Sequence, residues 1–62
     1  MELDRIMGIV TEQLAWELER GIVDRIDIDY IEETAEKQLT EEELDIFCEH
    51  KAAVTIYQDV VF

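Results

Sequence analysis

The stretch LTEEELDIFCE, Leu39 to Glu49, lies in the middle of a 62-residue chain and holds its densest charge. Thr40 stands three residues before Glu43, the spacing of a capping box. The threonine hydroxyl accepts from the Glu43 amide, and the Glu43 carboxylate accepts from the Thr40 amide. Glu41, Glu42 and Glu43 then occupy the positive end of the helix dipole, where each exposed anion gains roughly 0.3–1 kcal/mol. The stretch therefore predicts a helix starting at Glu41. Capping and solubility explain a glutamate cluster of this size. They do not explain the wider run of eleven acids: Asp24, Asp27, Asp29, Glu32, Glu33, Glu36, Glu41, Glu42, Glu43, Asp45 and Glu49. Only Arg25 and Lys37 oppose them.

Working outward, the helix from Glu41 is expected to run toward Gln58. Phe47, His50, Val54, Tyr57 and Val61 follow a helical spacing, flanked by Ile46 and Ala53. Leu44, Cys48 and Ala52 add a second edge. An apolar face this wide can serve the chain's own core and a second chain together. The tail VTIYQDVVF is rich in β-branched and aromatic residues, so a strand is the competing expectation there.

Before the central stretch, Met1 to Arg20 reads as a helix. Leu3, Met7, Val10, Leu14 and Leu18, with Ile6 alongside, form one apolar stripe of 3.6-residue period. Gly21 follows as a stop signal. Gly8 inside the helix costs about 1 kcal/mol against alanine unless it permits close packing. Ile9 and Trp16 lie off the stripe, and either a core or an intermolecular role fits Trp16. The segment IVDRIDID, 22–29, alternates like a strand but carries too many aspartates for one, and reads as an extended connection. Asp29 and Glu32 suggest the N-terminal box of a second helix, whose apolar edge is Ile31, Ala35 and Leu39. That helix is short and thinly apolar, so it should be the least stable element.

A domain of this size buries only about 60% of its unfolded surface, so its core is marginal. One cysteine excludes an internal disulfide, and one histidine with one cysteine makes no zinc set. Oligomerisation is the remedy left. The expectation is one all-α domain of three helices, forming a homodimer through Ile9, Trp16, Phe47, His50, Val54, Tyr57 and Val61. The chain opens MELDRIM, without a basic region or an apolar run of signal length, and the expected location is cytoplasmic. A net charge of −12 argues against DNA, RNA or an anionic membrane as direct ligand and for a basic partner.

No catalytic or ligand signature is present. Cys48 and His50 are too close in sequence to face each other on one helix, and a core thiol beside an interface histidine is the simpler reading. Asp27-Ile28-Asp29 starts like a calcium loop, but the later ligands and the invariant glycine are missing. No cofactor, metal or catalytic residue is expected. Tyr30 and Tyr57 read as edge-of-core residues.

The acidic belt, the size and the expected dimer resemble, in type, the small acidic phage proteins that occupy host DNA-binding proteins as DNA mimics. The ending L-T-x-x-E-L-x-x-F of residues 26–47 is similar to the Hha/YmoA family, small helical proteins that bind a nucleoid-structuring protein. These resemblances imply a non-enzymatic protein that inhibits or regulates a basic DNA-binding protein of a host. The alternative is a small antitoxin-like adaptor that grips its target through apolar residues, Trp16 among them.

Overall fold

Among the described residues four helices form, and each contacts the other three: α1 (Glu2–Glu19), α2 (Ile28–Gln38), α3 (Glu41–Glu49) and α4 (Ala52–Val61). The computed structural model describes residues 2–61, with side chains through Asp59. Among these residues there is no strand, so the tail is helical through Val61 and the competing strand does not form. The final residue, Phe62, lies outside the described residues.

The inward line of α1 runs Ile6, Val10, Leu14 and Glu17. Leu3 and Met7 pack on its flank, but Leu18 is 39% exposed. The predicted stripe thus faces the core from Leu3 to Leu14 and turns outward at its last residue, Leu18. Positions 17 and 18 both lie one turn beyond Leu14, and α2 decides between them, because Tyr30 offers Glu17 a hydrogen bond. The helix ends in a Schellman motif. The Gly21 amide donates to the Leu18 carbonyl, the Ile22 amide donates to the Glu17 carbonyl, and Gly21 has φ of 73°.

The cap of α2 is Asp27, not Asp29. Its carboxylate accepts from the Tyr30 amide at 2.8 Å. The earlier start brings Ile28 into the helix one turn before Ile31, so Ile28, Ile31 and Ala35 make one apolar edge against the core. Ile26 in the preceding connection is also buried. After α2, Leu39 turns extended and buries its side chain, and Thr40 caps α3. Both bonds of the capping box are present, Glu43 amide to Thr40 Oγ1 at 3.2 Å and Thr40 amide to Glu43 Oε1 at 3.0 Å.

The single helix expected from Glu41 toward Gln58 breaks at His50 and Lys51. Phe47 and Ile56 are nine residues apart. At about 100° per residue they would point to opposite sides of an unbroken helix. In the structure both are core residues, at 1% and 2% exposure. Lys51 makes this possible by adopting φ of 51°, in the left-handed region. The Lys51 amide donates to the Cys48 carbonyl, and the Lys51 carbonyl accepts from the Val54 amide, so the chain reverses within one turn. Ala52 and Ala53, both buried, let α4 approach closely where it folds back. The Cα radius of gyration is 10.7 Å. A compact chain of this length is expected at about 10.6 Å. The core therefore closes within one copy.

Three substitutions test this backbone. Left-handed φ costs a non-glycine residue roughly 1–2 kcal/mol, so Lys51→Gly should stabilise by about 1 kcal/mol and Lys51→Val should destabilise by at least as much. A Cβ at Gly8 would meet nothing within 4 Å, so no packing inside the chain requires glycine there. Gly8→Ala should accordingly add about 1 kcal/mol from helix propensity. Urea unfolding followed by circular dichroism measures all three.

Candidate interaction surface

The belt acids divide into two groups once the helices are placed. Asp27 caps α2, and Glu43 caps α3. Glu43 also accepts from Arg5 on α1, so one carboxylate closes a helix start and ties two helices together. The Thr40 amide, and then the Arg5 guanidinium, hold the Glu43 carboxyl below its ordinary pKa, while Glu2 and Glu43 raise Arg5. These two acids serve the fold. Asp24 is exposed in the connection between α1 and α2.

The other eight are exposed on α2 and α3. On α2, Asp29, Glu32, Glu33 and Glu36 fall within an arc of about 100° opposite Ile31 and Ala35. On α3, Glu41, Glu42, Asp45 and Glu49 fall within a similar arc opposite Phe47. Neighbours three or four apart on such an arc sit about 5–6 Å from one another. Among the described residues none of these eight carboxylates enters an ion pair or a hydrogen bond. The outer faces of α2 and α3 thus carry eight unpaired carboxylates against one exposed base, Lys37, which lies one turn beyond Glu33.

The residues expected at a dimer interface are scattered. Phe47 is in the core of its own chain and leaves no surface for a partner. Trp16 and Val54 are 45% and 39% exposed, His50 is exposed, and Ile9 and Tyr57 are half-buried. The side chain of Val61 lies outside the described residues. Tyr30 and Tyr57 pack on the edge of the core, as expected. Cys48 is exposed and does not fit the core role expected of it, because the break after Glu49 leaves it on the outer side of α3. Among the described residues no group of three or more His, Cys, Asp or Glu is placed to hold a metal, and no helix is long and apolar enough to cross a membrane.

One feature escaped the sequence reading. Glu17 is 8% exposed, and the Tyr30 hydroxyl donates to its Oε1 at 2.5 Å and lies 3.1 Å from its Oε2. This bond, then desolvation, then the charges of Glu17 and Glu33, push the Tyr30 phenol up to about 12. A glutamate where the α1 stripe called for an apolar residue was the available signal, but its donor sits 13 residues away on another helix. Compared with protein families, curated proteins and solved structures, the chain finds no match.

The Glu17–Tyr30 pair gives a pH signature. The folded phenol holds its proton above the unfolded value of about 10. Its contribution to stability is therefore complete below that value and is lost as pH climbs toward about 12. Tyrosinate absorbance should show a late phase near pH 12 in the folded protein. That phase should vanish in Tyr30→Phe and move to lower pH in Glu17→Gln.

Proposed function

We propose that this protein is a non-enzymatic acidic binding protein. It occupies the nucleic-acid groove of a basic, nucleoid- or histone-like DNA-binding protein, as a DNA mimic, and so inhibits or regulates it. The observation that carries this reading is the pair of anionic faces on α2 and α3, eight exposed carboxylates with no cation among them engaged. Such crowding works against the compact state. It matches what a basic groove is built to receive, since duplex DNA offers one charge per ~1.7 Å of axis. The chain's 17 acids against 5 bases repel nucleic acid itself. The protein acts as a homodimer in cytoplasm, and a phage protein directed at a host target has this combination of size and charge.

The exposed Trp16 supports a second reading, an antitoxin-like adaptor that grips its target through apolar contacts. Salt separates the two. The Debye length falls from about 10 Å at 0.1 M to about 3 Å at 1 M. Binding to a purified histone-like protein should therefore weaken steeply over that range, and duplex DNA should displace the complex. Reversing Glu32, Glu36, Glu42 and Asp45 to lysine should cost at least about tenfold more affinity than reversing Glu19 and Asp59. Salt-insensitive binding that DNA does not displace, with a large loss for Trp16→Ala, would replace the mimic by the adaptor.

A further inference from the structure

Glu17 is the one acid that the fold buries among the described residues, and no cation there pairs with it. Buried charges are ordinarily paired. Its only hydrogen-bond donor among the described residues is the Tyr30 hydroxyl, which has one proton to give. An ionised carboxylate has about four acceptor sites. Glu17 lines a cavity of about 280 Å³ between α1 and α2, with Gln13 on its own helix and Tyr30, Glu33, Lys37 and Gln38 on the other. Tyr30, Glu33 and Lys37 recur three and four residues apart, so one side of α2 forms this wall. Glu33 sets a second negative charge close enough to act on the Tyr30 phenol. Lys37 is exposed and enters no ion pair among the described residues. Beside the cavity lies an open groove formed by Ile9, Glu12 and Trp16, and Gln13 and Gln38 line both hollows. Three acids therefore line the joined surface against one base. Arg20 lies over the Trp16 ring, 4.9 Å from its centroid, and lines neither hollow.

We propose that this cavity receives an arginine side chain of a protein partner, with the residue next to that arginine seated on Ile9 and Trp16. The chemistry of the lining selects the occupant. Among the described residues no three ligating groups are placed to hold a metal, so the lining does not suit an inorganic cation. A guanidinium brings five donors in a planar fork and is more weakly hydrated than an ammonium, which favours it in partly buried ion pairs. The carboxylates of Glu17 and Glu33 and the amide oxygens of Gln13 and Gln38 supply acceptors from both helices. Outside the cavity, the half-buried Ile9 and the exposed Trp16 offer apolar area to the neighbouring residue. Lys37 is the competing charge, since its flexible stem holds a cation at the same cavity. The inference deepens the proposed function and rests on its basic protein partner. It assigns one anchoring side chain of that partner to the α1–α2 side, next to Glu33 at the edge of the α2 acidic arc.

The probe is the peptide acetyl-Leu-Arg-Leu-amide, titrated into isotope-labelled protein and followed by NMR. The Trp16 indole N–H and the side-chain amides of Gln13 and Gln38 should shift together and saturate, with a Kd on the order of 1 mM. Citrulline keeps the shape of arginine without its charge, and the citrulline peptide should bind at least about tenfold more weakly. Glu17→Gln keeps an acceptor for the Tyr30 hydroxyl and should weaken the arginine peptide by about tenfold. Lys37→Met removes the competing charge and should tighten binding by about threefold. Circular dichroism verifies the helices of each variant. Should Glu17→Gln lose them, Glu33→Gln, at an exposed position, should weaken binding by about threefold. Equal binding of the arginine and citrulline peptides, an unchanged affinity in Glu17→Gln, weaker binding in Lys37→Met, or no saturable shift up to about 20 mM peptide would each overturn the proposal. The titration contains no DNA-binding protein, and Glu17 is not among the acids reversed in the salt and competition experiments. Either reading can therefore fail while the other holds.

Discussion

Lys51 carries the conformation on which the rest of the structure depends. Its left-handed backbone, φ 51°, is the point where a run of helix-forming sequence reverses. Without the reversal, Phe47 and Ile56 would face opposite ways, and a chain this short would have to expose one of them. With it, four short helices enclose a core in which Ile6, Val10, Leu14, Ile31, Phe47 and Ile56 are all within 2% of complete burial. The strain at one residue, on the order of 1–2 kcal/mol, is small against roughly 1.5–3 kcal/mol for burying each large apolar side chain. The same reversal turns the remaining sides of α3 and α4 outward. One of those sides is the acidic arc from Glu41 to Glu49.

The acids of the chain then do two kinds of work. Asp27, Glu43 and Glu17 are bonded inward. They close the starts of α2 and α3 and join α1 to its neighbours through Arg5 and Tyr30. A group that accepts backbone or phenolic protons in this way gives the fold specificity as well as energy. The eight acids on the outer arcs do none of this. They are exposed and far outnumber the one base among them, Lys37, so they repel one another, and the fold gains nothing visible from it. The division separates carboxylates bonded within the fold from carboxylates left to solvent.

Much of the architecture was legible locally. The Thr40–Glu43 box, the Gly21 stop, the extended connection before α2, and the Ile31, Ala35, Leu39 edge are all written within a few residues, where capping, chirality and periodicity act. What failed is non-local. Periodicity alone let one helix run through His50 and Lys51, although the half-turn mismatch between Phe47 and Ile56 was in the sequence to be read. Hydropathy favours Leu18 over Glu17 because it cannot anticipate a phenol arriving from another helix. Asp27 and Asp29 are both good caps, and the helix that starts after Asp27 packs Ile28 against the core. The belt was legible as charge, but its division into fold-serving and outward-facing acids required the helix faces.

On the proposed reading, the outer acids stand against the stability of the fold. Urea unfolding in low-salt buffer tests it on the chain alone, comparing the parent with a variant carrying Glu32→Gln, Glu36→Gln, Asp45→Asn and Glu49→Gln. These positions avoid the first turns of α2 and α3, where anions favour a helix. The neutralised protein should have a higher unfolding midpoint, with the gap narrowing as salt is added. A lower midpoint would show that these carboxylates hold the fold together, and would contradict the claim.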